Sequence, residues 1–103
     1  MIKGIGCDIV SINRIDFKIA NRVLSSEEYE LFINMSDIRK KEFLAGRFAI
    51  KEAIYKAGGK ESFNLLNIKY NSDNSIYLQG YENVKISISH EKEYALGFAI
   101  YED

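Results

Sequence analysis

Two carboxylates and one ammonium group are the residues of this chain best suited to act together. Asp8 closes the run Gly4-Ile5-Gly6-Cys7-Asp8. Strand-like alternation puts Gly4, Gly6, Asp8 and Val10 on one side and Lys3, Ile5, Cys7 and Ile9 on the other. A side stripped of side chains lets another element approach the backbone. An aspartate that ends a strand and caps the next turn is the competing account. Farther along, a turn of 100° per residue gathers Ala45, Phe48, Ala49, Glu52 and Lys56 in one helical sector, with Phe43, Ile50, Ile54 and Ala57 opposite. A carboxylate among such neighbours needs Lys56, a metal, or both, to stay charged. The plain alternative is an exposed i,i+4 Glu-Lys pair, worth roughly 0.2–0.5 kcal/mol. Mg²⁺ would link the pieces, because one or two carboxylates and substrate phosphates commonly hold it, and Asp8 and Glu52 would suffice. Zinc is disfavoured by a chain with one cysteine and one histidine. That histidine, His90, follows Ser87 and Ser89 at the end of a strand. No G-x-S-x-G elbow accompanies these serines, so nucleophilic serine chemistry is not favoured. Neither a Walker A nor a G-x-G-x-x-G motif is present.

The elements that must position these groups emerge from periodicity and end signals. Residues 2–10 predict a strand, and Ile12, Ile15 and Ile19 after Ser11 predict a short helix. Ser25-Ser26-Glu27-Glu28 has the form of a capping box, with Leu24 and Tyr29 placed as a hydrophobic staple, so a helix should run from residue 26 to near Asn34. Ser36 can cap a long helix from Asp37 through Ala57, ended by Gly58-Gly59. Leu65 to Tyr70 and Ser75 to Leu78 should pair as a hairpin across Asn71-Ser72-Asp73-Asn74. After Gly80-Tyr81-Glu82-Asn83, alternation around Val84, Ile86 and Ile88 and around Tyr94, Leu96, Phe98 and Ile100 predicts a second hairpin turning at Glu91-Lys92-Glu93. This order implies an α+β class, with helices packed on an antiparallel sheet.

Bulk properties narrow the field. At 103 residues, residues 1–103 are expected to form one domain. The composition, 47% hydrophobic and 28% charged, is that of a globular chain. A formal net charge of -1 announces no nucleic acid, so phosphate recognition must come from local Lys and Arg. The basic run Arg39-Lys40-Lys41 could meet a phosphate, but a charged first helical turn facing water is the favoured account. The lone Cys7 cannot form an intrachain disulfide, and the first apolar run is broken well before signal-peptide or membrane-spanning length. A cytoplasmic protein without a membrane segment is expected.

Three segments together resemble the holo-[acyl-carrier-protein] synthase family of 4'-phosphopantetheinyl transferases. They are Gly4-Ile5-Gly6-Cys7-Asp8-Ile9-Val10, the stretch Phe43 to Ala57 (FLAGRFAIKEAIYKA), and Ile86-Ser87-Ile88-Ser89-His90 running on to Tyr94-Ala95. The resemblance implies the 4'-phosphopantetheinyl transferase fold, with Asp8 and Glu52 holding Mg²⁺ against the pyrophosphate of coenzyme A and Lys56 and His90 close to its phosphates. It implies attack by a carrier-protein serine on the β-phosphate and release of adenosine 3',5'-bisphosphate, with a carboxylate or metal-bound water taking the proton. Arg47 lies in the matched segment, where a phosphate contact and fork-like anchoring of neighbouring elements both fit. Arg14 resembles a position that contacts the acidic acyl carrier protein, with Arg22 a weaker candidate. A homotrimer with sites at subunit interfaces is likewise implied. The chain departs from the family in a trimmed segment after Arg14, a short Gly58-Gly59-Lys60 connection and a compressed link before Val84. A silent binding relative and an oligomerising scaffold are the rival readings.

Overall fold

The computed structural model describes residues 1–103 throughout. It consists of strand β1 (Ile2–Ser11), helices α1 (Ala20–Val23), α2 (Ser26–Phe32) and α3 (Asp37–Ala57), then β2 (Ile68–Tyr70), β3 (Ile76–Leu78), β4 (Val84–His90) and β5 (Tyr94–Glu102). β1, β5 and β4 form one antiparallel sheet in that order, and β2 and β3 form a separate hairpin. The long helix matches its expected limits, with Ser36 capping the Arg39 N–H and Gly58 closing the other end at φ 128°. The capping box of α2 is complete: the Ser25 hydroxyl accepts from Glu28 N, and Glu28 accepts from Ser25 N.

Two expectations fail, each for a local reason. The helix expected over Ile12, Ile15 and Ile19 is instead a pair of 3-10 turns, Ile12–Arg14 and Phe17–Ile19. Asp16 accepts from Lys18 N and so starts a fresh turn, while Ile15 is extended. The strand expected from Leu65 begins only at Ile68, because Phe63–Leu65 form a 3-10 turn. The Phe63 and Leu66 carbonyls point inward to accept from Lys51 Nζ at 2.9 and 2.7 Å, and so are withdrawn from any strand ladder.

At three glycines α3 and the sheet meet backbone to backbone. A Cβ on Gly6 would lie 1.8 Å from the Ala53 carbonyl oxygen, and one on Gly4 1.9 Å from that of Ala57. A Cβ on Gly97, which pairs with Asp8, would lie 2.6 Å from Ala49 backbone atoms. The sheet thus presents a trough bare of side chains at these three glycines, into which α3 settles. Ile50 and Ile54 then pack against Leu66, Ile68, Leu78, Val84 and Ala99, while Phe43 and Leu44 pack against Ala20, Val23, Leu24 and Phe32.

α3 is therefore buried on several sides, and one of its charges is buried with it. Lys51 is fully enclosed. Its ammonium donates to the Val23, Phe63 and Leu66 carbonyls and, at 2.6 Å, to Glu28 Oε1. Glu28, 1% exposed, also accepts from Ile68 N at 2.9 Å through Oε2. Burial pushes the Lys51 ammonium below its ordinary value, opposed by the adjacent Glu28 carboxylate. This node ties the end of α1, the start of α2, the middle of α3 and the start of β2 to one another. Removing only the cation strands a buried carboxylate, so Lys51→Met should destabilise the fold by about 3–5 kcal/mol in urea denaturation. Adding Glu28→Gln should recover part of that loss, and a Lys51→Met protein as stable as the parent would contradict the assignment.

Candidate functional site

The trough also sets the position of Asp8. Two strand residues advance about 6.7 Å and four helical residues about 6 Å, so the two elements stay in step when packed side by side. Gly4 meets Ala57 and Gly6 meets Ala53. Asp8, two residues on and on the same face, falls beside the preceding turn, where the helix offers Ala49 and Glu52. Helical side chains lean towards the N-terminus, which brings Lys56 back over the same spot.

Lys56 Nζ donates to Asp8 Oδ1 at 2.9 Å and to the Cys7 carbonyl at 3.2 Å. The Asp8 side chain is 18% exposed and that of Lys56 49%. The hydrogen bond to Asp8, followed by the attraction of Asp8 and Glu52, raises the Lys56 ammonium above its ordinary value. A raised lysine pKa favours the folded state below the unfolded value, and this contribution is lost as pH rises through the folded one. The ammonium is thus held charged through neutral pH. Asp8 caps nothing: it sits within β1, which continues to Ser11. Lys56 reaches across to the strand instead of closing on Glu52 within the helix.

The other expected residues lie elsewhere. His90 ends β4 and pairs with Ala95, while Asp8 pairs with Gly97 on the far side of β5. With α3 seated over Gly97, Asp8, Glu52 and Lys56 occupy one flank of the helix and His90 the other. On that second flank Arg47 and His90 line a common cavity of about 330 Å³, together with Arg39, Asn74, Ser75 and Ser87. Arg47 is only 4% exposed, with its guanidinium carbon 4.4 Å from the Phe43 ring centre and Nη2 donating to the Tyr70 hydroxyl at 2.9 Å. Arg14, at the end of the first 3-10 turn, and Arg22, in α1, are both exposed.

Sequence reasoning passed over Lys51 and Tyr70, and read Glu28 only as a capping-box residue. For Lys51 a signal existed: its helical angle falls within about 20° of Leu44, on a helix whose other faces also carry apolar residues. Tyr70 offered none, since its meeting with Arg47 depends on how the β2–β3 hairpin docks.

The outer face of the sheet is apolar and open. Ile5, Ile9, Leu96 and Phe98 are 58%, 63%, 39% and 40% exposed, and Cys7 lies among them as a free thiol. No helix is long and apolar enough to cross a membrane.

Comparison with known proteins identifies the family and the fold. The family model of the 4'-phosphopantetheinyl transferase superfamily matches residues 4–99. A holo-[acyl-carrier-protein] synthase of Mycoplasma mycoides subsp. mycoides SC is 44% identical over 97% of this chain and 94% of its own length. The holo-(acyl-carrier-protein) synthase of Bacillus anthracis str. Ames, solved in complex with CoA (3',5'-ADP), superposes with a TM-score of 0.89 at 35% identity, covering 98% of this chain and 96% of that one. The Helicobacter pylori holo-[acyl-carrier-protein] synthase, solved in complex with coenzyme A, has a TM-score of 0.75 at 31% identity, covering 95% of this chain and 99% of that one. The antiparallel sheet notched for α3, the Asp8–Lys56 pair and these near full-length matches lead to one conclusion: this chain belongs to the 4'-phosphopantetheinyl transferase superfamily.

Proposed function

We propose that the whole chain acts as one holo-[acyl-carrier-protein] synthase domain in the cytoplasm, moving the 4'-phosphopantetheine group of coenzyme A onto a serine of an apo acyl carrier protein. The observation that carries this reading is the meeting of Asp8 with Lys56 beside Glu52, in a chain whose relatives bear that name along nearly their full length. In the reaction the serine oxygen bonds to the β-phosphorus of coenzyme A, the bond to the bridging pyrophosphate oxygen breaks, and adenosine 3',5'-bisphosphate departs. The serine loses one proton.

Asp8 and Glu52 offer carboxylate oxygens without histidine or thiolate, a donor set that suits Mg²⁺ completed by water and substrate phosphate and does not suit zinc. Bound by these two residues, Mg²⁺ would neutralise charge on the donor phosphates. Lys56 stands at the same place as a fixed positive charge for the pyrophosphate. A carboxylate or a water of the site is suited to take the serine proton.

The cavity between Arg47 and His90 is suited to a phosphorylated part of the donor, since a planar guanidinium binds phosphate through paired N–H groups. Within one chain this cavity and the Asp8 group lie on opposite flanks of α3. The open apolar sheet face favours self-association, in which one copy's His90 flank can meet another's Asp8 flank. A homotrimer with shared sites is the assembly we favour. Exposed Arg14 and Arg22 are the groups we assign to the acidic carrier, through contacts that salt would weaken.

Two experiments test this reading. Glu52→Gln should lower carrier modification by at least about 100-fold while thermal unfolding and assembly stay as in the parent. Retained turnover would remove Glu52 from the site, and lost folding would favour the scaffold reading. Separately, co-refolding Asp8→Asn chains with His90→Ala chains should restore activity that neither possesses alone. With random mixing half of the Asp8 sides and half of their His90 neighbours are intact, so about a quarter of the parent activity should return. No recovery from a mixed assembly would place His90 outside the shared site.

A further inference from the structure

Arg47 is buried but weakly held from behind. Its Nε, screened from solvent, has no hydrogen-bond partner, and the nearest carboxylate oxygen, Glu28 Oε2, is 3.5 Å away. Glu28 is already committed: Oε1 accepts from Ser25 N and Lys51 Nζ, and Oε2 accepts from Ile68 N. One carboxylate thus faces two buried cationic side chains, which leaves the Arg47 side of the node in want of an anion. The hydrogen bond that does orient the guanidinium is the 2.9 Å contact from Nη2 to the Tyr70 hydroxyl, with the guanidinium carbon 4.4 Å from the Phe43 ring centre. Both Arg47 and Tyr70 line the cavity that contains His90.

We propose that Tyr70 is a positioning residue for the donor site: its hydroxyl fixes the rotation of the Arg47 fork so that the remaining terminal N–H groups face an incoming phosphate. The proposal rests on the transferase reading above and deepens it. Without the hydroxyl, the Phe43 ring still faces the guanidinium, but a ring contact does not determine the in-plane direction of the N–H groups. Tyr70 itself is 50% exposed on short strand β2, so removal of its oxygen leaves no internal void. The role therefore separates from stability, unlike that of Glu28, whose loss would disturb α2 and β2 together.

Tyr70→Phe should weaken binding of adenosine 3',5'-bisphosphate, read by titration calorimetry, about 3–10-fold. It should raise KM for coenzyme A by the same factor with kcat unchanged, because the contact is made alike in ground and transition states. In a double-mutant cycle Arg47→Lys should cost much less in the Tyr70→Phe background than in the parent. Parental bisphosphate affinity and KM in a Tyr70→Phe enzyme would overturn the proposal and leave the transferase reading intact. Independent, multiplying effects of the two substitutions would overturn it equally. A parent protein that neither binds the bisphosphate nor modifies a carrier would overturn both readings.

Discussion

At Gly4, Gly6 and Gly97 the backbone of α3 rests directly on the sheet, at distances that leave no room for a methyl group. Everything else in the molecule is arranged around that contact. It fixes the height of the helix above the sheet and, because strand and helix advance nearly in step, its register along β1. Asp8 continues the row of Gly4 and Gly6, so the close approach that seats the helix also delivers a carboxylate to the turn bearing Glu52 and, one turn later, Lys56. The site is thus a consequence of packing, made where the glycine row runs out and a side chain first appears.

The buried node of Glu28, Lys51 and Arg47 does for the far side of α3 what the glycine trough does for the near side. Lys51 collects carbonyls from the end of α1 and from the segment before β2, and Glu28 joins α2 to the same point. A net charge is expensive to bury, and the arrangement persists because nearly every donor and acceptor in it is used. The exception is Arg47, and Arg47 is the member that borders a cavity. The one group the protein leaves incompletely satisfied is the one we assign to phosphate binding.

The near side of the site was legible in the sequence because it depends on local periods. Alternation separates Gly4, Gly6 and Asp8 from Ile5, Cys7 and Ile9, and 100° per residue places Glu52 and Lys56 on one line; both patterns survive into the fold. The relation of His90 to Asp8 was not legible, because it depends on β5 inserting between β1 and β4, a fact of pairing between distant segments. The helical angle of Lys51 points inward, but the carbonyls that satisfy its charge come from segments that only the fold places around it. The misread helix after Ser11 has a smaller cause: the isoleucine spacing is helical, but Asp16 supplies a competing local hydrogen bond that spacing does not weigh.

Whether this chain performs the transfer is the central question, and intact-mass spectrometry of an apo acyl carrier protein tests it directly. The carrier is incubated with the protein, coenzyme A and Mg²⁺, and in parallel with EDTA in place of the metal. A carrier heavier by one phosphopantetheine group is expected in the first sample and an unchanged carrier in the second. No adduct on any of several folded carriers would contradict the transferase reading, and equal yield in EDTA would contradict the role given to Asp8 and Glu52.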